Sequence, residues 1–212
     1  MSSQQRRRDL VIAGHEGNEH AAREALTQVD PIDRQLALGA LARMEALTDD
    51  DLRRAFEDEI ASVRQRAATL AATHPDVSVL SLLRDPDAAV VEAAAWAAGE
   101  QETVDENVVS MLCELGAAAP DPLVREASVA ALGAIGDERG LAVILNACTD
   151  KPNIRRRAVL ALAPFSGPEV DAALAAALID RDWQVRQAAE DLSPHMNPGG
   201  ETSTNPFEDS QN

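Results

Sequence analysis

Apolar and small residues recur along this chain with a helical period. Val124, Ala127, Ser128, Ala131, Leu132 and Ile135 follow the 3, 4, 7, 8, 11 spacing that gathers side chains on one helix face. Asp121 ahead of them is a good N-cap residue, and Pro122 suits a first helical turn. Gly136 ends the helix. Asp137 opens a second one whose apolar face is Leu141, Ile144, Leu145 and Cys148, and Asp150 with Pro152 restarts the cycle. The unit predicted is a hairpin of two short helices.

That unit returns. VRQRAATLAA begins at Val63, VREASVAALG at Val124, IRRRAVLALA at Ile154 and VRQAAEDLS at Val185. A degenerate copy, VVEAAAWAAG, begins at Val90, and a weaker one, DRQLALGAL, at Asp33. The second position of each copy falls at Arg34, Arg64, Val91, Arg125, Arg155 and Arg186, in steps of 30, 27, 34, 30 and 31 residues. A period near 30 residues means stacked supersecondary units in which each repeat buries its neighbour's face. The expected fold is therefore all-α, an α-solenoid of about six helical hairpins. A lead-in or capping helix is expected within residues 1–17, the solenoid over 18–192, and a disordered tail over 193–212, where Pro, Gly, Ser, Thr and Asn replace the periodic pattern.

The arginine in each phrase is preceded by an aspartate: Asp58, Asp121, Asp150 and Asp180 come before Arg64, Arg125, Arg155 and Arg186. A stripe of arginines could grip a carboxylate or phosphate ligand. Recurrence in nearly every unit instead favours a structural ladder, each arginine binding an aspartate of its own or the neighbouring loop. A ligand site would use some units and not others.

These phrases resemble HEAT repeats, and among them the short phycobilisome-lyase-type repeats of bacteria. The segment VREASVAALGAIGDERGL, Val124 to Leu141, is the nearest match, and the resemblance covers roughly Asn18 to Leu192. It implies a superhelix with one helix of each pair lining the concave side, and proteins of this kind are mostly scaffolds that hold another polypeptide. It also includes enzymes. A bilin lyase-like activity would need a pocket with acid and base groups, but the four histidines, His15, His20, His74 and His195, lie outside the repeated phrases, and there is no Tyr. A deoxyhypusine-hydroxylase-like iron site would need several His-Glu pairs, and only His15-Glu16 occurs. The expectation is thus a non-enzymatic protein-binding scaffold with no cofactor and no metal. The alternative is an enzyme with a small-molecule pocket in the same groove.

Composition narrows the partner. The net charge is −17 and aromatics make up 2% of residues, which excludes a polyanion-binding surface and argues against nucleic acid. Of the 19 basic residues all but Lys151 are arginine. Cys113 and Cys148 stand in no ligand motif and fall on apolar helix faces. No apolar run is long enough to cross a membrane or to act as a secretory leader, so a cytoplasmic monomer that binds a protein or peptide is expected.

Helical spacing selects the stripe such a partner would touch. It holds Glu126, Val129, Ala130 and Gly133 in one unit, Glu92, Ala95, Trp96 and Gly99 in the unit before, and Arg156, Val159, Leu160 and Ala163 in the unit after. The last unit adds Gln187, Glu190 and Asp191. The candidate groove residues are Glu92, Trp96, Glu126, Val129, Arg156, Leu160 and Gln187. Trp96 either anchors a partner there or folds back across the Ala-rich core. Trp183, at a helix start, is expected to pack near Phe165.

Overall fold

A computed structural model describes residues 3–196, the last three by backbone alone. In chain order the described α-helices are α1 (Ser3–Glu16), α2 (Glu19–Ala25), α3 (Pro31–Arg43), α4 (Asp49–Ala55), α5 (Ala61–Leu70), α6 (Ala88–Glu100), α7 (Glu106–Ala118), α8 (Pro122–Ile135), α9 (Leu141–Ala147), α10 (Pro152–Ala161), α11 (Pro168–Ala177) and α12 (Trp183–Met196). No strand occurs among the described residues. Helices α1, α3, α5, α6, α8, α10 and α12 each pack on the next in one continuous row, with α2, α4, α7, α9 and α11 behind it. This is an α-solenoid. Helix α12 runs on through 193–196, where the tail was expected to begin; the rest of that expected tail lies outside the described residues.

Local chemistry sets the helix ends. The carboxylates of Asp30, Asp87, Asp105 and Asp121 accept from the N–H two residues on, and Thr48 with Asp51 forms a reciprocal capping box. The cap of α6 is Asp87, whose own backbone is extended. Gly136 closes α8 with φ 69°, a left-handed geometry that glycine takes without a Cβ clash.

One hairpin departs from the expected form. Between α5 and α6 the back-row helix is replaced by two 3-10 turns, Ala71–Thr73 and Leu82–Arg84. Pro75 and the Val77-Ser78-Val79 run disfavour a continuing helix. The carbonyls left over find Gln101, whose side-chain nitrogen lies 3.0–3.3 Å from the oxygens of Ala71, His74 and Val77. This compact link accounts for the 27-residue step between Arg64 and Val91.

The arginines form a ladder along the row. Each reaches forward to a carboxylate of the following loop: Arg34 to Asp58, Arg64 to Asp85, Arg125 to Asp150 and Arg155 to Asp180, through two N–H donors at 2.6–3.2 Å. The remaining nitrogen, Nη1, turns back to the carbonyl of Gln28, Asp58, Ala119 or Asp150 in its own loop. Asp121 is therefore not the partner of Arg125; it caps α8. Hydrogen bonds from Arg64, Arg125 and Arg155 hold the carboxyls of Asp85, Asp150 and Asp180 below the ordinary carboxylate range. Where Val91 takes the arginine position, the forward partner is Ala119, and the two join Val124 in an apolar cluster. Both members of one ion pair have been replaced together by small apolar residues. A lone arginine or aspartate there would be left half-buried without its counter-charge.

Candidate partner-binding groove

The free face of the long-helix row is built from two register positions. One residue after each arginine position stand Gln35, Gln65, Glu92, Glu126, Arg156 and Gln187; five residues after stand Gly39, Thr69, Trp96, Ala130, Leu160 and Asp191. All twelve are at least partly exposed. Residues i and i+4 share a helix face, so these two positions form one strip across the row. The position between them, four after the arginine, turns inward in the first five units, where Leu38, Ala68, Ala95, Val129 and Val159 are all buried, while Glu190 in the last is exposed.

Val129 is therefore a core residue and not part of the groove. It sits about 60° round the helix from Glu126, on the side that meets α7. Gly133 is also buried. A Cβ on it would lie 2.6 Å from the Cα of Ala161, so this glycine is what lets α8 and α10 approach.

The other candidates fall into two neighbouring depressions. Glu92, Trp96 and Glu126 line a groove of about 720 Å³ between α5, α6 and α8, open to solvent, together with Gln65, Thr69, Leu123 and Arg157. Trp96 is 47% exposed, which decides between its two expected placements in favour of the groove. Glu126 is engaged: Asn153 donates to it at 2.7 Å and Arg157 stands 3.8 Å away. Glu92 and Glu100, one turn either side of Trp96, are exposed, and among the described residues neither makes an ion pair or side-chain hydrogen bond. Arg156, Leu160 and Gln187 line a second, smaller hollow of about 130 Å³ between α10 and α12.

That second hollow also holds Trp183, which is 65% exposed. Phe165, near which it was expected to pack, is buried at the turn after α10. Trp183 is the first residue of α12, where α8 and α10 carry Pro122 and Pro152. A first-turn side chain projects past the helix end, here across the row toward Leu160. Alignment of the repeated phrases by their arginines would have shown the substitution of an aromatic for a proline.

Other chemistry is sparse. Among the described residues no group of three or more His, Cys, Asp or Glu is placed to hold a metal ion. His74 Nδ1 lies 2.9 Å from Asp49, a local contact that ties a 3-10 turn to α4. Burial pushes the Cys148 thiol up to about 11 and raises Cys113 as well, the latter also through Asp137. No helix among the described residues is long and apolar enough to cross a membrane.

The family model of HEAT repeats matches residues 77–153 and again 109–193. No curated protein matches the sequence. Among solved structures, human deoxyhypusine hydroxylase in complex with glycerol is similar at 18% identity over 92% of this chain and 81% of its own, with a TM-score of 0.46. An engineered protein is similar at 19% identity over 92% of this chain and 90% of its own, with a TM-score of 0.47.

Proposed function

This chain belongs to the HEAT-repeat family, and we propose that it is a non-enzymatic scaffold that holds a partner polypeptide on the concave face of its solenoid. We read its short units as those of the phycobilisome-lyase-type branch in a bacterial cytoplasm. The observation that carries the proposal is Trp96: an indole 47% exposed, set among small residues in an open groove. An exposed indole set in a groove offers a partner a large apolar contact, and tryptophan is prominent among the residues that dominate binding energy. The second exposed indole, Trp183, extends the same face toward the C-terminal end. A segment lying across the row would meet both.

The test is capture of the native partner from cell extract, followed by titration of the purified pair. Trp96→Ala should weaken binding by about 2 kcal/mol or more, roughly thirtyfold, while the melting temperature stays within a few degrees of wild type. Unchanged binding by a folded Trp96→Ala protein would remove the groove from the function. A large drop in melting temperature with binding retained would make the indole a packing residue.

A further inference from the structure

We propose that the segment held at Trp96 is basic: an arginine or lysine side chain of an extended polypeptide lies on the indole, between the carboxylates of Glu92 and Glu100. This rests on the scaffold reading above and adds the chemistry of the partner. Glu92, Trp96 and Glu100 occupy positions i, i+4 and i+8 of α6 and so form a single stripe. At 1.5 Å rise per residue, each carboxylate stem stands about 6 Å along the axis from the indole. A cation on the ring face therefore has an acceptor on either side.

The charges on the groove walls are unequally satisfied. Glu126 already has Asn153 and Arg157. Glu92 and Glu100 have no partner among the described residues, although this chain pairs its half-buried aspartates with arginines throughout the row. Two free carboxylates flanking an exposed indole repel an anionic segment and attract a cationic one, and tryptophan is the strongest aromatic partner for a cation. The net charge of −17 extends the attraction beyond the groove and favours fast encounter with a basic partner. Across from Trp96, Leu123 is 53% exposed on the α8 wall, so an apolar side chain next to the cation would also find a contact.

The probe is a short capped peptide carrying two arginines and two leucines, compared with versions in which glutamate or norleucine replaces both arginines. Binding is read by fluorescence anisotropy of a labelled peptide at low and high salt. The arginine peptide should bind and the glutamate peptide should not. Glu92→Gln with Glu100→Gln should weaken the arginine peptide about tenfold, and added salt should do the same. Trp96→Leu, which keeps apolar bulk and removes the ring, should weaken it about threefold. These side chains are exposed, and melting curves establish that each variant is folded. No binding of the arginine peptide to wild type at millimolar concentration overturns the proposal, as does equal binding of the norleucine or glutamate version, or indifference to the double Gln change. If the native partner is lost with Trp96→Ala but unaffected by the double Gln change, the basic segment is wrong and the scaffold reading stands. If the native partner is indifferent to Trp96→Ala, the scaffold reading fails at this groove.

Discussion

The last rung of the arginine ladder allows a measured separation of ion pairing from packing. Arg155 donates to both oxygens of Asp180 at 2.9 and 2.8 Å and to the Asp150 carbonyl at 2.9 Å. The two side chains are 7% and 16% exposed. Breaking a fully buried pair costs about 3–5 kcal/mol and an exposed one below about 1, so this rung belongs between them. Asp180→Ala leaves a nearly buried guanidinium with one carbonyl and should cost about 2.5 kcal/mol. Arg155→Val leaves a carboxylate that still accepts from the Asp182 N–H, and should cost about 2 kcal/mol. The double variant reproduces the Val91 and Ala119 rung and should cost about 2.5 kcal/mol, short of the sum by about 2. Urea denaturation of all four proteins measures the cycle. For a folded region of this size the Asp180→Ala change should lower the melting temperature by about 5–10 °C. Because Arg155 lowers the folded carboxyl pKa of Asp180, the rung's stabilisation is present above the unfolded value near 3.9. It is lost as pH falls through the folded value, so wild type and Asp180→Ala should converge in acid. Additivity of the two changes within about 0.5 kcal/mol would refute the account of the ladder as coupled pairs.

Two further outcomes follow from packing. Gly133→Ala puts a methyl 2.5 Å from the Cβ of Ala161 and 2.6 Å from its Cα, so α8 and α10 must part; despite the better helix propensity of Ala, thermal melting should fall by several degrees, with a smaller loss for Gly99→Ala, whose nearest contact is 3.1 Å. A disulfide-exchange reagent at pH 8 should label Cys148 slowest, since a thiol raised to about 11 is on the order of one part in a thousand thiolate there, with Cys113 faster and both prompt once urea unfolds the chain; prompt labelling of native Cys148 would contradict its burial.

Much of this architecture was legible because stacking repeats a small set of demands. A capping aspartate, an arginine at the second position of the phrase and small residues at the crossing points answer the same geometry in most units, so spacing alone exposes them. What escaped was set by neighbours in space. The choice between inward and outward at Val129 turns on one helical step of 100°, and only the place of α7 decides it. The first 3-10 turn and the segment after it are held by Gln101, some thirty residues downstream of the carbonyl it satisfies at Ala71. The forward direction of each ion pair was hidden because an aspartate also lies just upstream of every arginine, and a carboxylate's partner cannot be read from proximity in sequence.

The chain departs from its own repeat most strongly in one place, and that place is the groove. Around α6 the arginine is Val91, its aspartate is Ala119, the back-row helix of the preceding hairpin is absent, and the strip position held elsewhere by Gly39, Thr69, Ala130, Leu160 or Asp191 is a tryptophan. A repeat array is stable when each unit obeys the shared pattern, so each departure forgoes a standard interaction and has to be offset locally. The apolar rung at Val91 and the amide of Gln101 supply that offset for the first three. At Trp96 the strip carries a large aromatic side chain where the equivalent Ala130 carries a methyl, and 47% of it is exposed. Trp96 thus stands in an open groove where the chain departs most from its own pattern, and the Trp96→Ala titration proposed above tests whether a partner covers it.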